Sequence, residues 1–260
     1  MGSHEVDTAA CAMLEESILG WGASLVGFAD LIGAVCPPIS EWPGAISMAV
    51  ALDPAALEGV RDGPTADYYN EYNRVNRALN EIAGRAAGLI YGLGYRAEPF
   101  PATVPESPRG DEWIKTLSVA FQHKTAATRA GLGWVGTNAL LITPRFGPRV
   151  RLATVLTDMP LPAGESITAG RCGKCSACAR VCPARAIEGV EWRAGVDRDE
   201  LVDAWACWET ARGLLHQRVG VDNAVCGVCV PGGPKRVTIG DAWQRRLDCP
   251  RRVENCPVST

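Results

Sequence analysis

The chain has 260 residues, of which 47% are hydrophobic and 21% charged, with 28 Gly and 18 Pro. This composition is that of a folded globular protein of one or two domains, and it excludes disordered, collagen-like and large multidomain classes. The formal net charge of −3 gives no global field that would concentrate nucleic acid or an anionic membrane.

Neither a membrane span nor an export signal is recognisable in the sequence. The longest aliphatic stretch, residues 45–52, is far shorter than the roughly 20 apolar residues that cross a bilayer. The first residues carry Asp and Glu instead of the basic flank and apolar core of a signal peptide. We therefore expect a cytoplasmic protein without a membrane partner, in a reducing compartment where clustered cysteines are more often metal ligands or redox groups than disulfides.

The first hundred residues alternate helical and strand patterns. Residues 8–20 predict a short helix, and the strongest helical pattern covers 64–92, where apolar residues recur every three or four positions. Short apolar runs bounded by Gly or Pro predict buried strands over 24–28 and 46–52. The prolines between 99 and 108 then predict an irregular surface connector, because Pro cannot donate to a strand ladder.

The pattern resumes with a predicted helix over 117–130 and predicted strands over 139–143 and 149–157. Residues 159–170, rich in Pro, Gly, Ser and Thr, are the best candidate linker. Beyond them the cysteine density rises and few strands are recognisable. The expectation is an α+β protein, with an α/β domain over 1–165 and a cysteine-rich domain over 166–260.

The strongest motif is a run of four cysteines. Nine of the 11 Cys lie in the last third of the chain, which contains Cys172-Gly-Lys-Cys175-Ser-Ala-Cys178-Ala-Arg-Val-Cys182-Pro183. This is the bacterial ferredoxin spacing C-x2-C-x2-C-x3-C-P. Its first three thiolates wrap one [4Fe-4S] cluster, and the fourth turns away to ligate a second cluster. A single run of this kind therefore predicts two [4Fe-4S] clusters in a ferredoxin-like domain.

The remaining ligands must lie downstream. Cys207, Cys226 and Cys229 supply three thiolates that complete the second cluster with Cys182. The first cluster would take its fourth thiolate from a second C-x3-C-P motif that begins at Cys229, but Gly233 stands at the position of that cysteine, before Pro234. The ferredoxin pattern is therefore one cysteine short.

Three interpretations of Gly233 are open. Cys249 or Cys256, each followed by Pro, folds back as a substitute ligand; a non-cysteine ligand or solvent binds the fourth iron; or the cluster is lost or reduced to a three-iron form. We favour substitution, although both could also be ordinary tail thiols. Cys11 and Cys36 are interpreted as ordinary thiols of the first domain.

Two other uses of clustered cysteines compete with iron–sulfur binding. Paired C-x2-C elements also hold Zn²⁺ in zinc ribbons, but four cysteines within eleven residues, followed by Pro, exceed what a ribbon half-site needs. Buried unliganded thiols are the weaker alternative, because these cysteines lie among Gly, Lys, Ser and Arg. Both alternatives are disfavoured.

A second segment resembles a known family. The residues His123-Lys-Thr-Ala-Ala-Thr-Arg-Ala-Gly-Leu-Gly-Trp-Val-Gly136, followed by 139–158, resemble the epoxyqueuosine reductase family, and more closely its shorter members without a helical-repeat extension. Residues 25–30 and the ferredoxin run fit in the same order. The resemblance implies a corrinoid-reductase-like fold, related to reductive dehalogenases, in which clusters feed electrons to cobalamin above a substrate pocket.

The sequence departs from this family at two positions. Queuosine-forming members carry Asp-Ser-Ala shortly before the Gly-Leu-Gly-Trp motif, with that Asp as the proposed proton donor. Residues 115–120 here contain no carboxylate, and Thr137 replaces the usual Lys after Trp-x-Gly. Both departures argue against epoxyqueuosine as the substrate.

Weaker signals lie within the same segment. Gly131, Gly133 and Gly136 satisfy G-x-G-x-x-G, but the order of helix before and strand after excludes a dinucleotide site. We interpret these glycines, with Trp134, as a tight turn that lets neighbouring chain or a cofactor approach closely. His123 is the candidate proton donor, since its ordinary pKa lies near neutrality, with a packing histidine as the alternative.

The leading hypothesis is an iron–sulfur oxidoreductase that passes single electrons through two clusters to a substrate or corrinoid site in the first domain. It would need a redox donor protein of ferredoxin or flavodoxin type and a small-molecule substrate. A tRNA partner is disfavoured, although residues 231–260 carry six Lys or Arg against three Asp or Glu. The alternatives are an electron-transfer module without its own substrate and a regulatory iron–sulfur or zinc protein.

Overall fold

The structure, a computed structural model, describes residues 6–35, 39–103, 116–117, 119 and 121–231. Several sequence predictions therefore lie outside the described residues. They include most of the proline-rich connector, three positions of the segment over 115–120, and the predictions made for Cys36, Gly233, Cys249 and Cys256.

The described residues form six strands: β1 (Leu25–Asp30), β2 (Gly44–Ala51), β3 (Ala97–Phe100), β4 (Trp134–Val135), β5 (Leu141–Ile142) and β6 (Val150–Thr157). They also form seven α-helices: α1 (Thr8–Gly20), α2 (Pro54–Leu57), α3 (Ala66–Gly92), α4 (His123–Arg129), α5 (Ala177–Val181), α6 (Arg198–Leu201) and α7 (Ala204–Val219). Short 3₁₀ turns occupy Ile39–Glu41 and Glu58–Asp62. In this part of the chain, no helix has the length and apolar character of a membrane span.

Four strands form one sheet in the order β1-β2-β6-β3, and every pairing is antiparallel. The mixture of helix and sheet agrees with the predicted α+β class, and the α/β domain expected over 1–165 is built on an antiparallel sheet. The strands β4 and β5 form a separate antiparallel pair.

The sheet is covered on both faces. Ile46 and Met48 of β2 pack with α1 and α3 in the largest hydrophobic cluster, whereas Ala45, on the opposite face of the same strand, packs with Ala126 of α4 and with Ala130 just after it. The small side chains on the second face let α4 lie close to the sheet. The two central strands are therefore buried on both sides, which positions the beginning of α4 beside β6.

Most predicted elements of this region are confirmed. The helix predicted over 8–20 is α1, and its N-cap Asp7 accepts hydrogen bonds from the backbone N–H groups of Ala9 and Ala10. The long helix predicted over 64–92 is α3. The prediction over 117–130 placed the start of the helix too early, since α4 begins at His123.

The prediction of an irregular surface connector from residue 99 onward is wrong for its first residues. Ala97–Phe100 form the edge strand β3, in which Pro99 lies opposite Val155 of β6. An edge strand tolerates a proline because the missing N–H would face away from the neighbouring strand.

The segment predicted as a linker is held by backbone hydrogen bonds on both sides. The N–H of Gly164 donates to Phe28 O at 2.8 Å, that of Ile167 to Thr128 O at 2.9 Å, and that of Gly170 to Trp192 O at 2.6 Å. Hydrophobic clusters also span the predicted boundary at residue 165, since Leu215 packs with the sheet and α3. The cysteine-rich segment is thus packed against the sheet layer.

Candidate functional site

The structure brings together the four thiols that the sequence assigned to the second cluster. Burial raises the pKa of the Cys229 thiol to about 12, and the nearby thiols of Cys207, Cys226, Cys178 and Cys182 raise it further. Burial likewise raises the pKa of Cys207 to about 11, with contributions from Cys182 and Cys226. The Cys226 thiol is in turn affected by Cys182. Every pair among the four is therefore close enough to interact electrostatically.

Local backbone features place these cysteines. Cys182 follows α5 in an extended conformation, so that its side chain leaves the helix direction. The N–H of Cys207 in the first turn of α7 donates to Asp203 O at 3.1 Å, and Asp203 caps that helix. Gly227 adopts φ +79° in the tight turn from Cys226 to Cys229, a conformation that favours glycine. The end of α5, the first turn of α7 and one tight turn thus carry the four cysteines.

Tyr68 of α3 packs directly against this turn. A Cβ atom at Gly227 would overlap the Tyr68 ring, so only glycine fits there. Tyr68 is buried, and burial raises the pKa of its phenol, which Arg151 lowers and both Cys229 and Cys226 raise. The Tyr68 side chain is therefore close to both the Cys226–Cys229 turn and Arg151.

The three other cysteines of the ferredoxin run differ in exposure. Cys175 is exposed and Cys172 half-buried, whereas Cys178 is buried with its Sγ 3.4 Å from the Thr137 hydroxyl. The backbone N–H of Cys172 donates to a Glu191 carboxylate oxygen at 2.8 Å.

All eight described cysteines are free thiols. Within the described ranges, no three His, Cys, Asp or Glu side chains are arranged as ligands of a single metal ion. The fourth ligand proposed for the first cluster falls on residues outside those ranges.

A cavity of about 410 Å³ lies between the end of β3, the start of α4 and β6. Arg151 of β6 is its best-anchored cation. Its Nε donates to Asn76 Oδ1 at 2.9 Å, and its Nη2 contacts the Thr103 hydroxyl at 3.1 Å, the Tyr72 hydroxyl at 3.2 Å and Ala102 O at 3.3 Å. The guanidinium also stacks over the Tyr72 ring, 4.2 Å from its centroid. This network fixes the guanidinium at the cavity wall.

His123 also lines the cavity, with both ring nitrogens engaged. Its Nε2 lies 3.0 Å from Pro101 O and its Nδ1 2.9 Å from the Thr154 hydroxyl. Because a carbonyl only accepts, Nε2 carries the proton and Nδ1 accepts from Thr154. Burial lowers the pKa of His123 to about 4; the Pro101 hydrogen bond opposes this shift and Arg151 adds to it. Because the His123 ring is neutral and its one proton is already donated to Pro101 O, these contacts favour a packing histidine over the predicted proton donor.

The neighbouring Lys124 is the group that the sequence reasoning passed over. Its Nζ donates to Ala139 O at 2.6 Å. Burial lowers the pKa of Lys124 to about 8, and the nearby Arg198 lowers it further. Its position directly after His123 in the matched segment was the available signal. Lys124 is mostly protonated at neutral pH and can release its proton near that pH.

The segment in which queuosine-forming members carry Asp is described at Thr116, Leu117 and Val119. Leu117 and Val119 line the cavity, and Leu117 adopts φ +50°, which is unusual for a branched side chain. Arg198 donates to Leu117 O at 2.9 Å and to Thr116 O at 3.0 Å, which holds this backbone in place. The described positions therefore present apolar side chains to the cavity.

The glycines of the G-x-G-x-x-G segment face neighbouring chain. A Cβ atom at Gly131 would lie 2.8 Å from Glu165 O, one at Gly133 would overlap Ile142 O, and one at Gly136 would lie 2.8 Å from Ile142 Cγ1. The sequence left open whether neighbouring chain or a cofactor approaches this turn. The structure shows close approach of neighbouring backbone and side chains.

Trp134 lies in the same turn and is 2% exposed. Its ring faces the Arg171 guanidinium at 5.6 Å from the centroid. Its Nε1 is buried without a hydrogen-bond acceptor among the described residues. The cofactor contacts predicted for this residue and the three glycines stay a prediction.

A larger cavity of about 1240 Å³ adjoins the first one. The two share Gln122, Lys124, Ala139 and Arg198, so Lys124 lies at their junction. The larger cavity is bounded by α4 on one side and by residues 188–205 on the other.

No family model matches the chain, but individual proteins do. The epoxyqueuosine reductase of Pseudomonas aeruginosa is 31% identical over 115 residues, which are 44% of this chain and 27% of that protein. That of Salmonella typhimurium is 39% identical over 133 residues, 51% of this chain and 32% of that protein. The tetrachloroethene reductive dehalogenase of Dehalobacter restrictus is 33% identical over 133 residues, 50% and 21% of the two chains. The matches thus span a third or less of these relatives.

Solved structures extend the similarity to most of the chain. A reductive dehalogenase, described as suggesting a mechanism for B12-dependent dehalogenation, superposes with a TM-score of 0.60 at 22% identity, covering 89% of this chain and 33% of that one. The epoxyqueuosine reductase of Bacillus subtilis superposes with a TM-score of 0.56 at 17% identity, covering 87% and 66%. At these identities the likeness is one of fold. The predicted resemblance to epoxyqueuosine reductases and their reductive dehalogenase relatives is confirmed.

Proposed function

We propose that this chain is an iron–sulfur oxidoreductase, in which two [4Fe-4S] clusters held by residues 166–260 pass single electrons to a site in residues 1–165. The observation that carries the proposal is the gathering of four thiols, two of which lie close to Tyr68, a residue that is also close to Arg151 of the cavity wall. The matching proteins are named as reductases, and both kinds are oxidoreductases. Their names support reductive chemistry.

The thiols of Cys182, Cys207, Cys226 and Cys229 fit a cluster chemically. Burial and mutual proximity raise thiol pKa values in this group, so that several thiolates together are unfavourable without a compensating cation. Iron supplies that positive charge, and its binding displaces the thiol protons. Cys172, Cys175 and Cys178 would hold the first cluster, with a fourth ligand from outside the described residues.

The clusters, when bound, would supply one-electron transfer to the cavity at Arg151. Of the chain's own residues, Tyr68 packs with its ring against Gly227, and the Arg151 network fixes the cavity wall. With His123 neutral and no carboxylate at the described positions of the 115–120 segment, we propose Lys124 Nζ as the proton donor for the reduction.

Cobalamin is the second cofactor that we propose to test. The support is the B12-dependent chemistry ascribed to a dehalogenase of the same fold, together with the cavity of about 1240 Å³ beside Lys124. The residues that would hold a corrinoid there lie on α4 and in the 188–205 segment. Anaerobic reconstitution with cobalamin, followed by gel filtration and absorption spectroscopy, tests this. Failure to retain the corrinoid would remove it from the proposal and leave the clusters.

The deciding experiment for the clusters is anaerobic iron and sulfide analysis with paramagnetic resonance. Two [4Fe-4S] clusters correspond to about eight iron atoms per chain. Cys207→Ala should lose about half of the iron, whereas Cys11→Ala, a buried thiol of α1, should lose none. Stoichiometric zinc in place of iron would overturn the proposal.

An electron-transfer module without its own substrate is the second candidate. It is favoured by Leu117, which presents an apolar side chain where queuosine-forming members place their proton donor. Both candidates need a redox donor protein of ferredoxin or flavodoxin type, whereas only the first needs a small-molecule substrate. Oxidation of the reduced protein by a bound small molecule, absent in Lys124→Met, would separate the reductase from the module.

A further inference from the structure

The smaller cavity is positively charged on its described walls. Lys124, Arg151 and Arg198 contribute to its lining, and among the described lining residues none is Asp or Glu. The neighbouring charges act in one direction: Arg151 lowers the pKa of His123, and Arg198 lowers that of Lys124. Arg198 also pairs with Asp199, which compensates its charge. Lys124 and Arg151 are therefore the cations that give this cavity its positive charge.

Both cations have neutral partners at this wall. Lys124 donates to a backbone carbonyl, and Arg151 contacts an amide oxygen, two hydroxyls and a carbonyl. The hydrogen bonds of Arg151 to described residues run from Nε and Nη2. Placing cations in a partly buried site without a counter-charge is unfavourable, and an anion that enters the cavity relieves this cost.

The remaining walls are apolar and partly aromatic. Phe100 and Phe121 meet edge to face with 5.3 Å between ring centroids. Val119 and Leu152 complete an apolar surface around the same space. Such walls suit a flat hydrocarbon body and leave little room for a strongly hydrated ion.

We propose that the cavity of about 410 Å³ binds an organic carboxylate, with its anionic group held by Arg151 and attracted by the charge of Lys124 on the same lining, and its apolar body against Phe100 and Phe121. The inference rests on the proposed function, because it names the substrate class of the same site. A carboxylate pairs with a fixed guanidinium through charge-assisted hydrogen bonds, and the apolar walls select ligands by the shape of their hydrocarbon part.

The test uses anaerobically reconstituted protein and two probes of nearly equal shape, 2-naphthoate and the neutral 2-naphthamide. Titration calorimetry should show at least tenfold tighter binding of the carboxylate. Arg151→Gln and Lys124→Met should each weaken naphthoate binding at least tenfold while changing naphthamide binding less than threefold. The matched control is Arg77→Gln, at an exposed arginine of α3, which should bind naphthoate as the unaltered protein does. Equal affinity for the two probes would overturn the inference.

Further measurements keep the result interpretable. Arg151→Lys retains the positive charge, so it should keep the preference for naphthoate even if Arg151→Gln does not fold, as judged by circular dichroism. Loss of the preference in a folded Arg151→Lys variant would count against the site. Naphthoate preference in a protein that binds zinc instead of iron would overturn the proposed function and leave this inference standing. Intact clusters in a protein that shows no preference for naphthoate would overturn this inference and leave the proposed function standing.

Discussion

The sheet layer and the cysteine-rich segment are stabilised in different ways. In the sheet layer, β2 and β6 are covered on both faces, and large side chains such as Leu14, Ile46 and Leu79 are fully buried. In residues 172–231, α5 and α6 are only five and four residues long, and most side chains are at least partly exposed. The sheet layer is therefore held by burial of apolar surface, whereas the cysteine-rich segment depends on turns and on what its thiols bind.

Removing the metal should produce the largest effect and the clearest separation of the two regions. Iron chelation under reducing conditions should abolish amide protection around α5 and the Cys226–Cys229 turn while β2 and β6 keep theirs. The reason is that the thiols, rather than a large core, unite the cysteine-rich segment. Hydrogen exchange with mass spectrometry on the same sample before and after chelation measures this. Simultaneous loss of protection in β2 and β6 would mean that the two regions form one cooperative unit.

The contact between Gly227 and Tyr68 is where the two regions meet most tightly. Gly227→Ala places a Cβ against a buried ring at φ +79°, so it should lower the free energy of unfolding by roughly 2–4 kcal/mol and reduce the iron content. Urea unfolding and iron analysis report the two effects. Gly213→Ala is the control, since a Cβ there, on α7, meets nothing within 4 Å and should be neutral or slightly stabilising. Equal stability of both variants would place Tyr68 away from the turn.

His123 allows the sheet layer to be perturbed without touching a thiol. Its pKa of about 4 in the folded protein lies below its ordinary value of 6.5, so the stability linked to its neutral form is present above pH 6.5 and is lost as pH falls toward 4. The shift corresponds to at most about 3 kcal/mol. Urea unfolding of His123→Asn should show a smaller stability loss between pH 6.5 and 4.5 than the unaltered protein. His216→Asn, at an exposed site on α7, should match the unaltered protein, and a match by His123→Asn would refute the prediction.

The contrast between the sheet layer and the cysteine-rich segment explains which features could be predicted from the sequence. The four thiols that converge were identified from spacing, because a C-x2-C turn and a cysteine at a helix end are local features. Arg151 lies on the same face of β6 as Ala153 and Val155, which belong to the largest hydrophobic cluster. A single sequence does not reveal that both faces of β6 are covered, so the inward position of this charge emerged only from the fold.

Long-range packing also determined the features that the sequence missed. Pro99 argued against a strand, and only the position of β3 at the sheet edge makes this proline compatible with pairing. The G-x-G-x-x-G glycines could equally have faced a cofactor, and the position of the β5 backbone decides which atoms occupy the space beside Gly133. The cavity cations come from β6 and α4, which are distant in sequence, so their proximity could not be inferred from spacing.

The smallest expected effect concerns Cys178, the buried cysteine of the ferredoxin run. The Thr137 hydroxyl lies 3.4 Å from Cys178 Sγ, and a hydrogen bond to a cluster thiolate favours the reduced, more negative state. Thr137→Val should therefore lower the potential of the first cluster by roughly 20–60 mV, which corresponds to one modest hydrogen bond. Redox titration followed by paramagnetic resonance measures the shift, and the signal of the second cluster serves as an internal reference. Thr137→Ser should retain the original potential because it keeps the hydroxyl. If the Val and Ser variants share one potential, the Thr137 hydroxyl does not tune the cluster.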